Sequence, residues 1–550
     1  MATRTAALVL ALATAAAAQE GWKAEQKNVQ VPMRDGKSLA ADVYLPPKPG
    51  KVPAVLIQTP YNRSNMGAVM STPDAPMGET GRGSASDMKV LMDREHYAYV
   101  VVDWRGFYGS KAAMEGVKPL QFRRGLDGFD CVEWIAAQEW SDGRVGTWGG
   151  SALGKQQLDT AAEHPPHLVC CAPLIASMGT EYAAYYEGGV MLEGHVKRLD
   201  QLGFGVGTKV IAQPLSGAEI WKWAEKLTYR PQAIQVPCLM ITGWWDNYPD
   251  LVVKTFEDIV AKGGDRAKAH SRLLIGPWDH VSVGVAAQGD VAFEKAALFS
   301  GGAAKAFFDY WLRDQKDNGW DRTARVRYWV VNEEGWKAAE SWTGIARETT
   351  ELFLHEDGKI AAEKPTQPGT RGWVHDPVKP SPTLGGANLP PMKHGPTDQS
   401  ALLERKDGAW YSTGKLEKPL QVNGQVELTF TFSANRADCD FFARLCDVGP
   451  DGRPILIADA ARRAKLRDST AEAKPLVPGE KTAITLRFPS TAVVFPEGHE
   501  LRVYLSSANW PRYERNTHTG ADHWDAKVAV DLEVTVHHEG AVLRLPREKR

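Results

Sequence analysis

Apolar and polar positions alternate along residues 29–43 around an Asp35-Gly36 turn, the period-two pattern of a β-hairpin. The pattern then changes. Residues 52–58 and 97–102 are unbroken apolar runs, suited to strands buried on both faces. Between Asp127 and Gln138, Phe129, Val132, Ile135 and Ala136 recur at helical spacing, with acidic residues at the start. A short apolar strand is expected over 144–148, a helix from Ala152 and another buried strand over 168–175. After an interruption the alternation resumes with strands over 237–242 and 271–275 and a helix over 303–312. Buried strands interleaved with helices predict a parallel α/β sheet, and such sheets carry their chemistry at the carboxyl ends of the strands.

Two stretches depart from that alternation. Residues 177–232 are rich in Tyr, Trp and Gly and read as a mostly helical insertion. Their Gly203-Phe204-Gly205-Val206-Gly207 run lacks the preceding strand and the final glycine spacing of a dinucleotide loop. Beyond about residue 320, short alternating runs such as 326–331, 426–432, 482–488 and 501–505 lie between Gly, Pro, Asn and Asp turns, the pattern of a β-sandwich or jelly roll. Residues 362–400, rich in Pro and Gly, are expected to form a long surface loop.

The candidate chemistry sits at strand ends. Gly149, Gly150 and Ser151 turn the chain sharply between an expected strand and helix, as in a nucleophile elbow, though the spacing departs from Gly-x-Ser-x-Gly. Ser151, Asp246 and His280 each follow a buried strand, in the order Ser, Asp, His of α/β-hydrolases. A serine hydroxyl needs an imidazole to take its proton, and the imidazole needs a carboxylate to hold its tautomer. Asp279 also offers a carboxylate, but it adjoins His280 and would reach its Nδ1 awkwardly. Acyl transfer further needs donors for the developing oxyanion: the backbone N–H of Ala152, and the hydroxyl of Tyr61 where other hydrolases carry a glycine-rich loop. Trp148, Glu181, Tyr185, Trp245 and Tyr248 are candidate pocket residues.

These motifs resemble the CocE/NonD hydrolases of the Xaa-Pro dipeptidyl-peptidase (S15) superfamily. The resemblance lies in Thr59-Pro60-Tyr61, Asp103-Trp104-Arg105-Gly106 with Tyr108-Gly109-Ser110, residues 127–154, Gly243-Trp244-Trp245-Asp246 and Gly276-Pro277-Trp278-Asp279-His280. It continues through residues 438–452 and 495–520. It implies an α/β-hydrolase core with an inserted helical cap, followed by an all-β jelly-roll domain. It also implies Ser151 as nucleophile, His280 as base, Asp246 as orienting acid, and Tyr61 with Ala152 as oxyanion hole, with no cofactor and no metal. The family usually has tyrosine after the nucleophile; here that residue is Ala152. The expected activity is serine hydrolysis of a small-molecule ester or amide through an acyl-enzyme. An aminopeptidase, an Xaa-Pro-type dipeptidyl-peptidase or an α-amino acid ester hydrolase that holds a free ammonium, and an inactive jelly-roll binding protein, are the alternatives.

Composition adds limits. Lys and Arg total 65 against 67 Asp and Glu in 550 residues, so no general attraction to nucleic acid or acidic membranes is expected. Arg4, the apolar stretch 6–15 and Ala16-Ala17-Ala18 make residues 1–18 a secretory signal, hence a secreted or periplasmic enzyme. Export permits disulfides, yet six cysteines form no framework. The expected domains are 19–320 for the hydrolase, with 177–232 as cap, and 321–550 for the jelly roll; homo-oligomerisation is left open.

Overall fold

The computed structural model describes residues 25–65, 93–118, 122–333 and 335–549, so the expected signal at 1–18 lies outside the described residues. Ten strands form the first sheet: β1 (Gln26–Pro32), β2 (Ser38–Tyr44), β3 (Val52–Thr59), β4 (Ala98–Asp103), β5 (Ser141–Gly150), β6 (Leu168–Leu174), β7 (Leu239–Trp245), β8 (Arg272–Asp279), β9 (Val326–Val330) and β10 (Gly335–Ala339). Their order across the sheet is β1-β2-β4-β3-β5-β6-β7-β8-β9-β10. The central strands pair in parallel, and the two ends are antiparallel hairpins. All-buried strands such as β4 and β7 match the unbroken apolar runs, because helices cover both faces.

Those helices are α1 (Arg124–Ala136), α2 (Ala152–Ala161), three cap helices α3 (Glu193–Gln201), α4 (Gly207–Ile211) and α5 (Glu219–Thr228), then α6 (Pro249–Lys262), α7 (Asp265–His270) and α8 (Phe299–Leu312). Segment 177–232 thus folds as helices with one short hairpin, Tyr186–Glu187 against Val190–Met191.

The C-terminal half packs a six-stranded sheet, built on Leu420–Ala434 and Leu532–Glu548, against a four-stranded one of Gly408–Ser412, Glu500–Ser506, Asp440–Val448 and Pro454–Arg463. The first sheet does not stop at residue 320. β9 pairs in parallel with β8 (Leu273 opposite Val326), so the first β-patterned run of the second half extends the hydrolase sheet. Alternation marks a strand but not its partner. Likewise the stretch expected to be all loop contains a strand, Thr370–His375, paired with Leu532–Glu548. All six cysteines are buried and free.

The halves are stitched together next to the catalytic strand ends. The Asp250 carboxylate, in the first turn of α6, accepts from the backbone N–H of Ser490 (3.1 Å) and from Gln425 Nε2 (3.2 Å). The Asp290 carboxylate accepts from Lys393 Nζ (2.8 Å) and from the Asp398 N–H (3.0 Å). The cap is held from the same side: the Gly194 N–H donates to the Arg512 carbonyl (3.1 Å), and Tyr513 Oη donates to Glu187 (2.5 Å).

Candidate active site

β5 runs under α2, and the turn between them holds Ser151 at φ 58°, ψ −120°. A side chain other than glycine's is costly there, so the conformation is strained and is held by its surroundings. The Ser151 N–H donates to the Leu174 carbonyl (2.9 Å), and the Lys155 N–H donates to the Ser151 carbonyl (2.9 Å). Gly149 and Gly154 are required by close approach: a Cβ would lie 2.6 Å from the Leu153 and Ala176 side chains respectively.

β7 ends at Trp245 and delivers Asp246; β8 ends at Asp279 and delivers His280. His280 Nδ1 lies 2.6 Å from Asp246 Oδ1, and His280 Nε2 lies 2.9 Å from Ser151 Oγ. The buried carboxylate is committed to that orientation, since Thr242 Oγ1 donates to its Oδ2 (2.7 Å) and the Asn247 N–H to its Oδ1 (2.6 Å). With Nδ1–H given to Asp246, Nε2 is free to accept the serine proton. Asp279 is not the partner of His280. Its carboxylate takes the N–H groups of Val281 (2.9 Å) and Ser282 (2.8 Å), and His394 Nδ1 at 2.6 Å.

Tyr61 stands at the end of β3 with Ser151 as its hydrogen-bonding neighbour, and burial pushes its phenol up to about 12. It therefore stays protonated, a donor, across the working range of an enzyme. Its loop is clamped by Arg63, whose N–H and Nη1 both reach the Asp103 carboxylate (2.7 and 2.5 Å). Phe204 from the cap meets its ring edge-on at 6.3 Å. Ala152 is the first residue of α2, so its N–H has no carbonyl one turn behind and faces outward at a helix N-terminus, a position favourable to negative charge.

The expected pocket residues separate into two groups. Tyr248 and Tyr185 are at the site: Tyr248 meets His280 edge-on at 5.6 Å, and Tyr185 packs on His195 at 6.3 Å. The other three are turned elsewhere. Strand alternation points Trp148 away from the elbow onto Phe308 of α8 (6.4 Å), where it is core. Trp245 stacks on Phe293 at 5.8 Å. Glu181 has Lys254, Glu225, Lys155 and Asp258 as its charged neighbours, and burial raises its carboxyl. Sequence reasoning missed His195, Asn247 and His394. None belongs to a motif, and His195 and His394 meet their partners only through long-range packing. A cavity of about 390 Å³ lined by His164, Gln235 and Arg266 lies at the amino-terminal edge of the sheet, away from Ser151.

The family model described as X-Pro dipeptidyl-peptidase (S15 family) matches residues 35–214 and 208–282. That of the X-Pro dipeptidyl-peptidase C-terminal non-catalytic domain matches residues 318–541. The chain is 30% identical to cocaine esterase of Rhodococcus sp. (strain MB1 Bresler), over 90% of this chain and 92% of that one. Among solved structures it is similar to an aminopeptidase from a marine sediment Thaumarchaeota archaeon, with a TM-score of 0.80, 21% identity, and 96% and 97% of the two chains covered. An alpha-amino acid ester hydrolase superposes with a TM-score of 0.79 at 21% identity, over 95% and 96%.

Proposed function

The chain belongs to the CocE/NonD hydrolases of the S15 X-Pro dipeptidyl-peptidase superfamily and is a serine hydrolase; from that premise we propose that it cleaves an ester or amide through an acyl-enzyme on Ser151. The observation that carries the reading is the relay of two short bonds, Asp246 to His280 and His280 to Ser151. Ser151 Oγ attacks the acyl carbon while its proton passes to His280 Nε2. The Tyr61 hydroxyl and the Ala152 N–H hold the oxygen that becomes negative. His280 then gives that proton to the leaving group as the first tetrahedral intermediate collapses. A water attacks the acyl-enzyme, loses its proton to His280, and Ser151 recovers that proton as the acid departs.

The similarity to esterases supports a small-molecule ester as substrate. The Arg4-led, alanine-rich residues 1–18 support export to the periplasm or medium, which N-terminal sequencing of the mature protein would test. The catalytic reading is tested by a fluorophosphonate probe followed by peptide mapping: the label should fall on Ser151 and vanish in Ser151→Ala. A label elsewhere would overturn it.

A further inference from the structure

The cap brings a buried histidine to the site. His195, on α3, is 6% exposed, and its Nε2 lies 2.7 Å from Tyr248 Oη. Its Nδ1 faces the Asn247 carboxamide nitrogen at 3.2 Å. Burial, with His280 and Arg512 nearby, pushes its pKa down to about 3, so the ring is neutral and carries one proton. The carboxamide donates to Nδ1, which leaves that proton on Nε2, where it donates to the tyrosine oxygen. Asn247 is also a hydrogen-bonding neighbour of the same phenol. With His195 Nε2 as donor, the oxygen of Tyr248 is engaged as an acceptor and its own proton is turned away from His195.

We propose that His195 is a positioning residue that fixes the Tyr248 hydroxyl as a donor into the acyl side of the site, selecting acyl groups with a hydrogen-bond acceptor beyond the scissile carbonyl. A keto or ether oxygen would fit; a plain alkyl chain, once bound over it, leaves the phenol proton unpaired, which is where such a site discriminates. Tyr248 also packs edge-on against His280, which places it next to the residue that bonds Ser151. The substrate class deepens the acyl-enzyme reading above and rests on it. The hydrogen bond from Gly194 to the Arg512 carbonyl sets α3 in place, so the jelly roll contributes to this selectivity indirectly.

The test uses the full-length enzyme with p-nitrophenyl pentanoate and p-nitrophenyl 4-oxopentanoate, each kcat/KM divided by the rate of hydroxide hydrolysis to remove intrinsic reactivity. The wild type should favour the keto ester by roughly tenfold or more. Tyr248→Phe and His195→Leu should each bring the ratio to about one, with the keto ester losing most, and His195→Gln, which keeps an N–H near the Nε2 position, should retain part of it. A structural role alone would lower both esters equally. Equal losses in Tyr248→Phe, or a wild-type ratio near one, would overturn the proposal. Tyr248→Phe is conservative in shape and decides the matter even if His195→Leu does not fold. Fluorophosphonate labelling in parallel separates the two readings. A labelled but unselective enzyme sinks only the specificity, whereas an unlabelled wild type sinks the nucleophile.

Discussion

Two of the polar constellations buried among the described residues, one in each half, are built oppositely. In the jelly roll, Arg463 is almost fully buried and gives Nε and Nη2 to Asp440 (2.9 and 3.1 Å) and Nη1 to Glu514 (3.0 Å). The acids are shared in turn: Asn516 Nδ2 reaches both Asp438 (3.1 Å) and Asp440 (2.9 Å), and His523 Nδ1 reaches Glu514 (3.1 Å). The ion cluster is closed upon itself. At the strand ends of the hydrolase sheet, the Asp246–His280–Ser151 relay ends on a hydroxyl whose residue sits at positive φ, beside a helix N-terminus and the Tyr61 phenol. Closure suits structure. An open end, held under strain by its surroundings, suits a site that must complete its bonding with a substrate.

The contrast can be broken at either end, beginning with the largest effect. Ser151→Ala should remove turnover by a factor of about 10³ to 10⁶ while the thermal unfolding transition stays in place, because only a terminal hydroxyl is lost. Retention of more than a few per cent of the activity would contradict the assignment. Arg463→Leu should do the reverse. It strands the buried Asp440 and Glu514 carboxylates, which costs about 3–5 kcal/mol, while molecules that remain folded turn over normally. Denaturant melts beside active-site titration check this; an Arg463 variant of wild-type stability would mean the cluster holds nothing together.

Tyr61→Phe comes next. Removing one oxyanion donor should lower kcat/KM by about 10²–10³-fold, or ~2.7–4 kcal/mol, with little change in binding. A change confined to KM would make Tyr61 a pocket wall.

A smaller effect sharpens the comparison through pH. Glu187, where the cap meets Arg512 and Tyr513, is raised by burial to about 7, and Asp438 to about 6 by burial and by Asp440. Both values exceed those of the unfolded chain, so between roughly pH 5 and 7 the folded state binds protons that the unfolded chain has released. Their contribution therefore rises as pH falls through this window and is lost as pH rises. Glu187→Gln should flatten the dependence by on the order of 1 kcal/mol between pH 5.5 and 7.5. An unchanged slope in calorimetric melts would show that Glu187 does not titrate in that interval.

The legibility of the chain divides along the same line. Strand ends could be read because an unbroken apolar run stops where burial stops, and the three triad residues each follow such a run. The elbow was legible only together with Asp246 and His280, because a glycine-serine turn from strand to helix reads equally well as a plain turn. What escaped was long-range pairing. Nothing local in Asp250 tells that it will bond Ser490, 240 residues on, nor does His195 announce Tyr248, 53 residues away. Trp148 was a candidate pocket residue, but β5 alternation sends it into the core. β9 carries the alternation of a sandwich strand and yet adds to the first sheet, since a strand's partner is decided by register and packing and not by its own residues.

The last expectation is a small number and follows from where the acids went. An α-amino acyl donor brings an ammonium toward the acyl side, and a partly closed pocket removes its hydration without return unless a carboxylate faces it. The positions two and three after Asp246 are Tyr248 and Pro249, which carry no negative charge at neutral pH. Asp250, one further on, is taken by the backbone of Ser490 and the side chain of Gln425. Glu181 stands among Lys254, Glu225, Lys155 and Asp258, and burial raises its carboxyl. Asp246 itself is committed to His280. His195 is neutral and turned to Tyr248, so it offers an ammonium no charge. The enzyme should therefore show no strong preference for phenylglycine methyl ester over phenylacetic acid methyl ester in kcat/KM. A preference above about a hundredfold for the amino compound, ~2.7 kcal/mol, would contradict this. It would mean that a carboxylate does reach the acyl side when substrate binds, and Glu181→Gln and Asp250→Asn would show which one: the variant that loses the preference while keeping the phenylacetate rate identifies the ammonium's partner.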